Sequence, residues 1–373
     1  MEQYPARWWH SESTGDEKTL VCELCPRQCR IAAGHVGYCF ARHNHNGRLV
    51  LAVYGRSTGF CLDPIEKKPL YHFLPGTPTL SFGTIGCNLG CLHCQNWQTS
   101  RNRSLDVLVE RATPDMIANA ARQLGCPSVS LTYNEPIVWA EYAVDTARAC
   151  RQQGVKIVAV TNGFIRPEPA KWFFELIDAA NVDLKSFRDS FYRDVAGGSL
   201  QPVLDTLVYL AKETDVWLEI TNLVIPGEND SPDELKEMCD WVVAELGDHV
   251  PLHFSAFHPT HKLLHRPPTG AETLLRACEI ARSRGLRYVY PGNFASTQHQ
   301  ATYCGRCNSS LLERNAYGTD ATEILLPAQM GDDAICGQCS EQLAGCFAPA
   351  VGTWGNRRQA VRLRSIPALK KQT

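Results

Sequence analysis

From Thr79 to Asn293 short β-branched, apolar runs alternate with longer amphipathic ones. The short runs predict strands over Thr79–Thr84, Ser128–Thr132, Val155–Val160, Asn181–Leu184, Val216–Leu223 and Leu252–Phe257, each apolar enough to be buried on both faces. Helices fill the gaps. Thr113-Pro114 opens one that Gly125 closes, and another runs from Ile137 to Gln153 and stops at Gly154, both with proline or glycine at the ends that favour them. Ser231-Pro-Asp-Glu234 is a capping box that starts a helix reaching about Leu246. This alternation is the signature of βα units on a parallel sheet. Six units fall short of the eight of a closed barrel, so the expected fold class is α/β, a partial (β/α)6 TIM-like barrel.

In such folds chemistry gathers where loops leave the C-terminal ends of strands. After the first strand comes Gly86-Cys-Asn-Leu-Gly-Cys-Leu-His-Cys-Gln-Asn-Trp97, with three cysteines, Cys87, Cys91 and Cys94, spaced x-x-x then x-x. Structural zinc sites pair their ligands as two knuckles, and closed iron–sulfur clusters take four thiolates. Three thiolates in one loop suit a four-iron cluster that either takes its fourth ligand from elsewhere or keeps one iron open for a substrate. After the second strand, Thr132-Tyr-Asn-Glu-Pro136 offers an amide and a carboxylate, Asn134 and Glu135, able to grip an ammonium group. After the third, Thr161 and Asn162 precede Gly163 and present a hydroxyl and an amide suited to a ribose. After the fourth, Asp183 and Lys185 share one face at period two, which a core ion pair would also explain.

The cysteine triplet followed in order by these loops resembles the radical S-adenosylmethionine (SAM) superfamily. That resemblance implies a 4Fe–4S cluster on Cys87, Cys91 and Cys94, whose open iron is chelated by the amino and carboxyl groups of SAM. It gives His93 the position beside adenine. It matches Glu135 to the Gly-Gly-Glu element that contacts the cofactor's amino group, with Tyr133-Asn134 in place of the two glycines, which leaves Glu135 the stronger candidate of the pair. Asp183 and Lys185 take the ribose and carboxylate contacts of the glycyl-radical activating-enzyme branch, and His258, after strand six, the ribose-contacting position. The neighbouring His261 and His265 are read as surface residues.

Two further thiol groups flank the barrel. Cys22, Cys25, Cys29 and Cys39 fall within a short glycine-containing stretch and suit zinc, an auxiliary cluster or unmetallated thiols. Cys304-x-x-Cys307 and Cys336-x-x-Cys339 are paired knuckles, the pattern of a zinc ribbon, with a four-cysteine iron site as the alternative. The other cysteines lie singly and receive no role. The chain therefore divides into a Cys-rich N-terminal cap and connector (1–77), a radical SAM core partial barrel (78–298), a zinc-ribbon-like module (299–348) and a basic tail (349–373). The segment Asp63–Phe73, dense in charge and aromatics, is either a cover for the barrel mouth or a packed connector.

The N-terminal cysteines, Asp63–Phe73, the Cys-Gln-Asn-Trp97 exit and the knuckles together resemble the radical enzymes of the AmmeMemoRadiSam system, relatives of pyruvate formate-lyase activating enzyme. Amme-like and Memo-like proteins are the partners this implies. The implied activity is reductive cleavage of SAM to a 5′-deoxyadenosyl radical that takes hydrogen from an unidentified substrate. The alternative is an activating enzyme acting on a glycine of a partner protein, and last comes a non-enzymatic zinc-rich scaffold. An electron donor such as flavodoxin or ferredoxin is implied as well.

Composition fits this picture. The 373 residues, 44% apolar, suffice for one catalytic body with appendages. Seventeen cysteines without a charged-then-apolar leader predict a reducing, cytoplasmic setting. No apolar stretch approaches the roughly 20 residues that span a bilayer. A net charge of −2 supplies no global field for nucleic acid. No acidic residue follows Glu341, and Arg357, Arg358, Arg362, Arg364, Lys370 and Lys371 make the tail basic, expected as a solvated terminus before an anion or partner contact.

Overall fold

The computed structural model of the chain describes residues 4–14, 17–294, 296–327, 333–347 and 350–365; Lys370 and Lys371 of the tail lie outside them. The central runs fold into one nine-stranded sheet. Its strands are β1 (Gly59–Pro64), β2 (Pro78–Gly83), β3 (Ser128–Leu131), β4 (Lys156–Thr161), β5 (Ala179–Asp183), β6 (Trp217–Val224), β7 (Leu252–Ala256), β8 (Val289–Gly292) and β9 (Gln359–Val361). Helices α1 (Pro114–Gln123), α2 (Ala140–Gln152), α3 (Pro167–Phe174), α4 (Gln201–Glu213), α5 (Pro232–Glu245) and α6 (Ala271–Ser283) connect β2 through β8. The strand order is β8-β7-β6-β5-β4-β3-β2-β1-β9. Strands β2 to β8 run parallel, β1 lies antiparallel on β2, and β9 antiparallel on β1.

The six expected strands are all present, and β8 makes a seventh parallel one. Arg287 interrupts its apolar run and Pro291-Gly292 reads as a turn, which hides it in the sequence. Because β8 is an edge strand, Pro291 pairs opposite Phe254 without depriving a further neighbour of a hydrogen bond. Helix starts follow their caps. The Thr113 hydroxyl accepts from the Met116 amide with Pro114 at the first helical position. At α5 only half of the capping box forms. Ser231 accepts from the Glu234 amide, but the Glu234 carboxylate turns away to the Ser186 hydroxyl and the Phe187 amide. The helix expected from Ile137 begins as a 3-10 turn over Pro136–Trp139 before α2.

The connector between β1 and β2 lies beneath the site rather than across its mouth. Ile65, Leu70, Phe73 and Leu74 pack with Val158 and Ala179. The amides of Tyr71 and His72 both donate to Glu219, near the N-terminal end of β6, at 3.0 and 2.8 Å. The knuckle module holds this plug from below. His72 Nδ1 donates to the Ala344 carbonyl at 2.9 Å, Arg314 donates to the Tyr71 carbonyl at 2.8 Å, and Phe73 bridges to Cys346.

The cap is built of short antiparallel pairs, Trp9–Thr14 with Glu17–Cys22 and Arg30–Ile31, and Tyr4–Pro5 with Arg48–Leu51 and Arg42–His45. The tail, expected as solvated, is docked through its described part. Its strand β9 extends the sheet, and Arg358 reaches the buried carboxylate of Asp63 at 2.9 Å. Among the described residues no helix is long and apolar enough to cross a membrane.

Candidate active site

The loops at the C-terminal ends of β2 to β8 enclose a cavity of about 260 Å³. Cys87, Cys91 and Cys94 line it, with His93 between the last two. The turn before them is fixed by Asn134, whose Oδ1 accepts from the Thr84 amide at 2.8 Å and whose Nδ2 donates to the Gly86 carbonyl at 2.9 Å. Asn134 therefore positions the cysteine loop, and its neighbour Glu135 is free for other work. Tyr133, ahead of both, has φ +71, a left-handed conformation that favours glycine. A tyrosine there is held by its hydroxyl, which donates to Asp63 at 2.7 Å.

Glu135 is buried and collects three donors: the Thr161 hydroxyl at 2.6 Å, the Asn162 amide at 2.8 Å and the Ile137 amide at 3.1 Å. Burial pushes its carboxyl up to about 7, against these bonds, which favour the anion. A bound ammonium would supply the missing counter-charge. Asn162 ties two loops together, its Nδ2 donating to the Asn88 side chain at 2.9 Å and approaching the Cys87 sulfur at 3.6 Å. Asp183 and Lys185 form an ion pair at 2.9 Å, with Lys185 14% and Asp183 35% exposed. Burial opposes the charge on Lys185, yet Asp183 and the Cys91 sulfur outweigh it and hold its pKa above the ordinary value.

Of the residues singled out from the sequence, the triplet, His93, Asn134, Glu135, Thr161, Asn162, Asp183 and Lys185 all line this one cavity. His258 does not; it is solvent-exposed just past β7. That side of the cavity is lined instead by Ser255 and by Asn293, after β8. Asn293 was missed along with its strand, whose one signal is the short β-prone run Tyr288-Val-Tyr290 just before Pro291-Gly292. Pro69, Asn181 and Thr221 also line the cavity and carry no motif.

The lining fits a polar cofactor. His93 Nδ1, Asn181 Oδ1 and Thr221 Oγ1 are buried without a hydrogen-bond partner among the described residues. Such orphaned atoms are costly unless a ligand satisfies them. Burial, with the charge of Lys185 added, pushes His93 down to about 3, so its ring is neutral and able to lie against a heteroaromatic base.

Residues 82–242 match the radical SAM superfamily. An uncharacterized protein of Methanocaldococcus jannaschii is 42% identical over 323 residues, 87% of this chain and 95% of that one. The chain belongs to the radical SAM superfamily. Its cofactors are accordingly a 4Fe–4S cluster and SAM. Pyruvate formate-lyase 1-activating enzyme of Escherichia coli is 28% identical over 197 residues, half of this chain and 77% of that one. A GTP 3′,8-cyclase of Limosilactobacillus fermentum is 26% identical over 263 residues, 63% of this chain and 75% of that one. Among solved structures, a radical SAM methyltransferase from Sphaerobacter thermophilus aligns over 78% of each chain at 15% identity with a TM-score of 0.46.

At the far end of the sheet the knuckles converge. Cys304, Cys307, Cys336 and Cys339 have sulfurs all within 4.8 Å of one another, with Cys304–Cys339 at 3.5 Å and Cys307–Cys336 at 3.6 Å. Four thiolates around a zinc at about 2.3 Å stand roughly 3.8 Å apart, so this shell has the size of a single ion. Hydrogen bonds from Ser309 to Cys307 favour its thiolate, the form that binds metal, and hold its pKa below the ordinary thiol value.

Proposed function

We propose that the protein cleaves SAM reductively in the cavity above β2 to β8 and takes a hydrogen atom from a substrate held there. The observation that carries this is the convergence of the cysteine triplet with Glu135, the Asp183–Lys185 pair and three orphaned buried polar atoms on one cavity. When bound, the cluster and cofactor supply a one-electron cleavage of the sulfonium that yields a 5′-deoxyadenosyl radical. Cys87, Cys91 and Cys94 hold the cluster and leave one iron free. Glu135 receives the cofactor's ammonium, Lys185 its carboxylate, Asp183 and Thr161 face the ribose, and His93 lies along the adenine. Asn134 and Asn162 act through others, fixing the cysteine loop and orienting Glu135.

The knuckles hold zinc in this reading and serve the fold rather than turnover. A one-electron protein donor of the flavodoxin or ferredoxin kind feeds the cluster, and Amme-like and Memo-like proteins are proposed partners on resemblance alone. A second reading, activation of a partner protein by hydrogen abstraction from a glycine, is favoured by the match to the E. coli activating enzyme. The test is an anaerobic reaction of the reconstituted protein with SAM and a reductant, read by mass spectrometry. 5′-Deoxyadenosine should form with the wild type and not when Cys87, Cys91 and Cys94 are all changed to Ala. A triple variant that still forms it would refute the proposal.

A further inference from the structure

The N-terminal cysteines differ from the knuckles in one measurable respect. Cys22, Cys25, Cys29 and Cys39 all line one small cavity whose other walls include Arg27, Arg42, Asn88 and Val138. Yet among the described residues only the Cys304 group brings three or more sulfurs within 4.8 Å of one another. No three of the N-terminal sulfurs meet that limit, and neither do those of Cys87, Cys91 and Cys94. The void between them admits a water-sized sphere. Its centre must then lie about 3 Å or more from each sulfur nucleus, beyond the roughly 2.3 Å of a zinc–thiolate bond. Within one chain, the knuckles have the spacing of a single ion, and the triplet, whose family binds a cluster, has the looser spacing. The N-terminal group sides with the triplet.

Its surroundings suit a large anionic group. Among the described residues no carboxylate lines the cavity, whereas two guanidinium groups do. Arg42 is fully buried, with its charge balanced by Glu141 at 2.6 Å on the side of α2. Arg27 rests on the Tyr38 ring at 3.6 Å and donates to the carbonyls of Asn88 and Gly197. Three of the four cysteines are buried, so bound iron would be shielded from water.

The cavity also shares a wall with the cysteine triplet. Asn88 lines it and accepts from Asn162, the same amide that approaches Cys87. On the other side of that wall the Cys39 carbonyl sits where a Cβ on Gly86 would fall, 2.0 Å away, so the two thiol-bearing loops are in direct backbone contact.

We propose that Cys22, Cys25, Cys29 and Cys39 hold a second iron–sulfur cluster, not zinc, set one loop away from the cluster on Cys87, Cys91 and Cys94. Four thiolates hold either a two-iron or a four-iron cluster. The test uses the full chain, reconstituted anaerobically, with iron, sulfide and zinc measured per chain. The variant with Cys87, Cys91 and Cys94 all changed to Ala should keep about two or four irons, with matching sulfide, and give an electron paramagnetic resonance signal on reduction. The variant Cys25→Ser with Cys29→Ser should lose that iron while the triplet keeps its own. In the wild type, reduction should give broadened signals from two magnetically coupled clusters that neither variant shows. The proposal is overturned if the triple-Ala variant contains no iron, or if wild-type protein binds two zinc ions alongside a single cluster.

Discussion

The pair Asp183–Lys185 distinguishes a cofactor contact from a structural ion pair, and the change Lys185→Met does so most cleanly. Methionine keeps the unbranched stem and removes only the charge. Were the pair purely structural, the variant would leave Asp183 unpartnered, but that side chain is 35% exposed and rehydrates readily. Screening by water then places the loss at about 1 kcal/mol, well short of the cost of breaking a fully buried pair. For a chain of this size that lowers the midpoint of cofactor-free protein by only about 2 °C. A charge-assisted hydrogen bond from Lys185 to the SAM carboxylate is worth about 1.5–3 kcal/mol, so its removal should weaken binding by about 10- to 150-fold. Calorimetric titration of the reconstituted protein gives the affinity, and differential scanning fluorimetry of the cofactor-free protein gives the midpoint. Unchanged affinity, with a midpoint lowered by about 2 °C or more, would return both residues to a structural role and weaken the assignment of Glu135 with them.

Acid should loosen the floor of the barrel. Burial pushes His72 down to about 4, so the folded state keeps it neutral while the unfolded chain protonates below about 6.5. The stability it contributes, about 3 kcal/mol, is full above pH 6.5 and lost as pH falls towards 4; a thermal midpoint whose slope over that window is the same in His72→Gln would contradict this. Gly86→Ala meets the Cys39 carbonyl at 2.0 Å with φ +94. It should cost at least about 2 kcal/mol and lower the iron content, whereas a normal iron count would show that the two loops can separate. Cys307→Ser should remove one zinc and lower solubility while the soluble fraction still forms 5′-deoxyadenosine; loss of that chemistry in soluble protein would give the knuckles a role in turnover.

The sequence carries most of the site because its elements are local. The cysteine triplet, Thr161-Asn162 and Asp183-x-Lys185 are each a few residues long and follow strands whose apolar runs are unambiguous, so strand ends alone bring them together. What escaped depends on distant partners. The connector lies below the site because Glu219, some 147 residues away from His72, accepts its amide, and nothing in Asp63–Phe73 announces that. Tyr133 looks like a loss of glycine, and only its positive φ and its bond to Asp63 show that a tyrosine holds a conformation that favours glycine. The tail reads as basic and free because the acceptor of Arg358, Asp63, is nearly three hundred residues upstream. His258 was assigned by position in a family pattern; it is exposed, although the loop it opens packs against the cysteine loop, the Lys262 amide donating to the Leu92 carbonyl.

The appendages make sense once the sheet is seen to be open. Seven parallel strands end in a free edge at β8, and an open sheet does not by itself exclude water from a cavity at its strand ends. Chemistry that generates a reactive radical needs that exclusion. Each added piece closes one direction. The cap closes the side of the cysteine loop through Gly86 and Arg27. The plug supplies the floor, since Pro69 lines the cavity and its carbonyl accepts from Asn181 at 2.8 Å. The knuckle module locks the plug through a relay whose direction is fixed by its ends. Ala344 O can only accept, so neutral His72 must donate from Nδ1 and accept at Nε2 from the Tyr290 hydroxyl at 2.6 Å. Tyr290 then accepts from Thr302, which in turn accepts from Arg314. A proton on His72 Nε2 would take away the acceptor of the Tyr290 hydroxyl and force this relay to reorient, which couples the seat of the module to the protonation of His72.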